Sequence, residues 1–79
     1  MMVRILFFGA TADAVGTRVL EFETGGEPTS ASLLALLSKD HPVLENYKLL
    51  TAVNEEYAEA HTVLQDGDEV AIFTAVSGG

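Results

Sequence analysis

Seventy-nine residues predict a single domain, 1–79, and leave no room for a second. The 48% hydrophobic share supports a compact core rather than a disordered chain, and the absence of cysteine excludes disulfides and thiolate metal sites. A formal charge of -8, twelve acidic residues against Arg4, Arg18, Lys39 and Lys48, argues against nucleic acid as a partner, because phosphate would be repelled. The N-terminal apolar run, Ile5 to Phe8, falls far below the roughly twenty residues of a membrane-spanning helix. It is also too short for the apolar segment of a secretion signal, so the cytoplasm is the expected location.

Val3 to Phe8, bounded by Gly9, reads as a buried strand, with Val3, Ile5 and Phe7 on one face and Arg4, Leu6 and Phe8 on the other. Ala10 to Gly16 reads as a short helical turn. Thr17 to Glu23 alternates, Leu20 and Phe22 against Glu21 and Glu23, which predicts a half-exposed strand. Thr24-Gly25-Gly26-Glu27-Pro28 breaks it. Thr29 is the expected N-cap of the main helix, whose apolar stripe is Leu33, Leu34, Leu36 and Leu37, with Lys39 near the C-terminal end of its dipole. His41 precedes Pro42, which ends the element, and an irregular or helical stretch runs to about Tyr47.

Leu49 to Val53 predicts a strand, after which Asn54 and two glutamates turn the chain toward a short strand near Tyr57. Asp66-Gly67-Asp68 predicts a tight turn and Glu69 to Thr74 the last strand, Val70 and Ile72 alternating with Ala71 and Phe73. A hairpin, one covering helix and returning strands describe an α+β domain. The order fits the β-grasp, or ubiquitin-like, architecture: a mixed sheet with one main helix packed on one face. There the first and last strands are parallel neighbours, so the chain leaves the sheet at the end opposite Met1.

Most other constellations lack the spacing that chemistry needs. His41 and His61 have no metal-ligand pattern, Asp66 and Asp68 lack the rest of a calcium loop, and Gly9 to Gly16 lacks the Lys-Ser/Thr of a phosphate loop. Ser77 has no nucleophile elbow around it. No metal site, bound cofactor or catalytic machinery of its own is therefore expected. What stands out is the final strand running straight into Val76-Ser77-Gly78-Gly79, with 75–79 expected as a flexible tail.

Three blocks carry a resemblance: Val3-Arg4-Ile5-Leu6-Phe7-Phe8, Ala52-Val53-Asn54, and Leu64 through Gly79. Together they make the chain similar to the small subunit of molybdopterin synthase, a sulfur carrier of the ubiquitin-like superfamily. Members often have two prolines where Thr74 and Ala75 stand, and basic residues where Thr11-Ala12-Asp13-Ala14 stands. Proline would stop strand pairing and stiffen the exit, so this tail is expected to start later or to be more mobile. The resemblance implies a non-catalytic carrier in molybdenum cofactor biosynthesis. Its Gly79 carboxylate is adenylated by a ubiquitin-activating-type enzyme that uses ATP, converted to a thiocarboxylate, and donates sulfur to cyclic pyranopterin monophosphate. Gly78, Ser77 and Val76 form the arm that threads the partner's channel, where glycine has no Cβ to clash. The large synthase subunit is the second implied partner, in a two-plus-two complex.

Strand phase adds a docking surface. Phe8 and Phe73 are out of phase with the core residues of their strands, and parallel pairing is expected to bring them together near the tail exit, with Tyr57 extending the patch. Two alternatives share the activation chemistry: a sulfur carrier of the thiamine pathway, and a protein modifier conjugated through Gly79.

Overall fold

The computed structural model describes residues 1–26 and 28–75. Its elements in chain order are β1 (Met2–Phe7), α1 (Ala10–Val15), β2 (Val19–Glu23), α2 (Ser30–Asp40), a 3-10 turn (Pro42–Asn46), β3 (Leu49–Val53), β4 (Glu56–Tyr57) and β5 (Glu69–Thr74). The alternation in β1 does what it predicts. Val3, Ile5 and Phe7 are buried while Met2 and Arg4 face solvent.

Five strands form one sheet among the described residues, in the order β2-β1-β5-β3-β4. β1 pairs antiparallel with β2, from Met2 opposite Glu23 to Leu6 opposite Val19, and parallel with β5, from Arg4 opposite Glu69 to Phe7 opposite Ile72. β5 in turn runs antiparallel to β3, from Leu49 opposite Thr74 to Val53 opposite Val70. This is the β-grasp arrangement, with the parallel pair at its centre and α2 across one face.

Thr29 caps α2 through a reciprocal pair of bonds. Its hydroxyl accepts from the Ser32 amide at 3.2 Å, and the Ser32 hydroxyl accepts from the Thr29 amide at 2.8 Å. Such a cap is worth about 1 kcal/mol. Leu33 and Leu37, one helical turn apart, are fully buried against Val3, Ile5, Phe7, Val70 and Ile72. Leu36 departs from the expected stripe. It lies on the flank of α2 and is 42% exposed, because Leu33 and Leu37 already fill the ridge over the sheet.

Two core residues come from outside the main elements. Leu44 enters from the 3-10 turn, and Leu64 from a segment held where its N–H donates a hydrogen bond to the Pro28 carbonyl at 2.9 Å. Strand boundaries also shift. β2 begins at Val19 rather than Thr17, because Gly16 takes a left-handed conformation (φ 89) and the Thr17 hydroxyl folds onto the Val19 backbone. β1 ends at Phe7, leaving Phe8 just beyond the last paired residue.

Candidate functional site

Parallel pairing dictates where the chain leaves the sheet. Thr74, the last residue of β5, lies at the Phe7 end of β1, opposite the end that carries Met2. The Ala75 amide then donates to the Lys48 carbonyl at 3.2 Å, a bond that proline at this position has no N–H to make. Pairing with the β3 side therefore continues one residue past the strand, to Ala75. Gly79, Gly78, Ser77 and Val76 lie outside the described residues, and so does most of the expected 75–79 tail.

The exit end is locked by Thr11, a residue that the sequence gives no reason to single out. Its side chain is buried, and its hydroxyl lies 2.7 Å from the Phe8 carbonyl and 3.0 Å from the Ile72 carbonyl while accepting from the Phe8 amide at 3.1 Å. One hydroxyl proton serves two carbonyls here, so the oxygen sits between the ends of β1 and β5 and ties both to α1. Gly9, at φ 56, makes the sharp entry into α1 that brings Thr11 to this position.

Register fixes the composition of the sheet face that α2 leaves open, since paired residues share a face. Val19, Leu6, Ala71, Ala52 and Tyr57 are successive cross-strand partners, so they form one apolar row spanning all five strands. Phe73 and its partner Leu50 stand one step nearer the tail exit. The rings of Tyr57 and Phe73 are 5.9 Å apart at 57°, a tilted contact within the usual range for aromatic pairs. Tyr57 is 80% exposed and Phe8 52%, while Phe73 is half-buried.

The expected grouping of aromatics is therefore rearranged. Tyr57, not Phe8, is the ring that meets Phe73. Phe8, beyond the end of β1, instead lines a concavity at the β2 end of the row, with Leu6, Arg18 and Val19.

Tyr57 owes its placement to the β3–β4 turn. Asn54 and Glu55 both have positive φ, 49 and 71, the conformation that tight hairpins need. Asn54 is pinned by three bonds: its amide to the Glu69 carbonyl at 2.8 Å, its Nδ2 to Asp68 at 3.0 Å, and its Oδ1 from the Glu69 amide at 3.0 Å. Asp66 and Asp68 act as turn residues, accepting from the Met2 and Gln65 amides at 2.7 and 2.8 Å, with Gly67 between them at φ 86. His61 is exposed and pairs with Glu59 at 3.2 Å. Among the described residues no three metal-ligating side chains come together.

The sequence model of the ThiS family matches residues 5–79. The molybdopterin synthase sulfur carrier subunit of Escherichia coli (strain K12) is 37% identical over 82 residues, covering 99% of this chain and 100% of that protein. The structure of SAMP1, small archaeal modifier protein 1, from Haloferax volcanii superposes with a TM-score of 0.86 at 27% identity, covering 100% of both chains. In Helicobacter pylori, a complex of subunits 1 and 2 of molybdopterin-converting factor contains a chain with the same fold. Its TM-score is 0.71 at 24% identity, again over 100% of both chains.

Proposed function

The chain belongs to the ThiS family, and from that premise we propose that it is the sulfur carrier subunit of a molybdopterin synthase, with Gly79 as the residue that carries the sulfur. The observation that carries this reading is the end-to-end match, at 37% identity, to a molybdopterin synthase sulfur carrier subunit. The chain acts as one domain, 1–79, with 75–79 as its working tail, and it works in the cytoplasm.

In this reading the protein supplies an acyl group and a handle, and its partners supply the catalysis. A carboxylate is a poor electrophile, so a ubiquitin-activating-type enzyme first joins the Gly79 carboxylate to the α-phosphorus of ATP and releases pyrophosphate. The resulting mixed anhydride has AMP as its leaving group. A persulfide sulfur attacks the acyl carbon and expels AMP, and a second thiol cleaves the sulfur–sulfur bond, leaving the thiocarboxylate on Gly79. That thiocarboxylate donates its sulfur to cyclic pyranopterin monophosphate, and two such donations complete the dithiolene. The chain binds no cofactor itself. Gly78, Ser77 and Val76 thread the partner's channel.

The large synthase subunit docks on the open face of the sheet, with Phe73 and Tyr57 as neighbouring anchors and Phe8 at the margin, in a two-plus-two complex. An apolar row that spans the sheet beside the tail exit suits the centre of an interface better than it suits solvent. The Escherichia coli relative is itself a subunit of a synthase, and this, with the two-subunit complex of Helicobacter pylori, supports a partner of this kind.

A second reading, a modifier conjugated to lysines through Gly79, is favoured by the likeness to small archaeal modifier protein 1. Complementation separates the readings. Expressed in a bacterium lacking its own molybdopterin synthase sulfur carrier, the chain is expected to restore molybdoenzyme activity. Restoration of a thiamine auxotroph alone would assign it to the thiamine pathway. Covalent ladders on cell proteins, with neither defect restored, would favour the modifier.

A further inference from the structure

Between the end of β1, α1 and the start of β2 lies a concavity of about 480 Å³, open to solvent. Its apolar wall is Leu6, Phe8 and Val19, and its polar rim is Arg18 and Asp13. Leu6 and Val19 are cross-strand partners and form the first step of the apolar row on the open face, so the concavity continues that face past the edge of the sheet. Phe8 and Val19 are 52% and 45% exposed, which leaves two large apolar side chains in water at the same place.

The concavity also carries positive charge beside its apolar wall. Arg18 is one of four basic residues in a chain of net charge -8. Arg4 is paired with Glu21 at 3.3 Å, whereas Arg18 makes no ion pair among the described residues, although Asp13 lines the same concavity. Its backbone is fixed, because the Phe7 amide donates to the Arg18 carbonyl at 2.9 Å. Lys39 and Lys48 are likewise without an ion pair among the described residues, and what sets Arg18 apart is its place at a concavity continuous with the open face of the sheet. Arginine offers a planar fork that fits a carboxylate with two parallel bonds.

We propose that this concavity is a second anchoring point for the protein that docks on the open face. It receives an apolar side chain between Leu6, Phe8 and Val19, flanked by an aspartate or glutamate that pairs with Arg18. The inference rests on the docking reading above and adds to it a local acidic requirement on the partner. That requirement is opposite in sign to the basic partner surface that the overall charge of this chain attracts.

The opposite signs make the test sharp. The large subunit of the same organism's molybdopterin synthase is titrated by calorimetry with wild type, Arg18→Glu, Arg18→Gln and Phe73→Ala, and each variant's urea midpoint is measured alongside. A local carboxylate partner predicts that Arg18→Glu weakens binding by at least about tenfold, with Arg18→Gln between it and wild type. Arg18 is exposed, so the urea midpoints of its variants stay at the wild-type value. If long-range attraction to a basic surface is all that Arg18 influences, Arg18→Glu binds more tightly than wild type, and the proposal is overturned. Unchanged affinity for Arg18→Glu together with weaker binding by Phe73→Ala removes the concavity and leaves the docking face standing. Unchanged affinity for both removes the docking face as well.

Discussion

Replacing Leu37 with alanine removes most of a side chain that has no exposure and lies in the cluster formed by Ile5, Leu33, Val70 and Ile72, which are themselves fully buried. A wall made of paired strands and a helix cannot collapse freely into the space, so the cost includes a cavity as well as lost transfer energy. Leu→Ala at such sites costs about 2–5 kcal/mol. At roughly 0.05–0.15 kcal/mol per residue, a chain of this length has a total margin of about 4–12 kcal/mol. The substitution therefore consumes a large part of the stability, and a urea midpoint lower by at least about 1 M is expected for a slope near 1–2 kcal/mol/M. Leu36→Ala is the control. The neighbouring residue is 42% exposed, and its loss is expected to move stability by no more than about 0.5 kcal/mol. Both variants are read by circular dichroism in urea. Equal midpoints for the two would show that the inner face of α2 has been assigned wrongly.

Substitutions at two further positions probe the exit end. Phe73→Ala is expected to weaken binding to the large subunit by more than it weakens folding, since the ring is half-buried and meets Tyr57 at the surface; unchanged affinity in a folded variant would remove it from the docking face. Thr11→Val keeps the shape but removes the hydroxyl from the Phe8 and Ile72 carbonyls, which retain the Thr11 and Phe8 amides as donors, at a cost of about 0.5–1.5 kcal/mol, whereas Thr11→Ser keeps the bonds and loses less. Equal urea midpoints for the Val and Ser variants would show that the hydroxyl does not hold the ends of β1 and β5.

Much of the fold is legible because its signals are local. The period-two pattern of Val3, Ile5 and Phe7, the Thr29 cap, and Gly67 between two aspartates each specify their own geometry. Leu44 and Leu64 are different. Each follows a valine, Val43 or Val63, in a stretch without a strand or α-helix period, and only the tertiary fold tells that the leucine is buried and the valine exposed. Thr11 is hidden for a related reason, because its partner Ile72 is distant in the chain. Phase puts Phe8 and Phe73 on the same side, but phase cannot tell that β1 ends before Phe8 or that β4 swings Tyr57 against Phe73. The Gly-Gly motif is legible as chemistry only through its resemblance to a sulfur carrier, and its residues lie outside those the structure describes.

The central claim is that sulfur travels on the carboxyl group of Gly79, and intact mass spectrometry tests it most directly. The chain is incubated with the adenylating enzyme of its own organism, ATP and a persulfide donor, beside a truncation that lacks Gly79. The account predicts that the full chain gains the mass of one oxygen-to-sulfur exchange, that the gain requires ATP, and that the folded truncation gains nothing. An equal gain by the truncated chain, or none by the full one while a known carrier is loaded by the same enzyme, would contradict it.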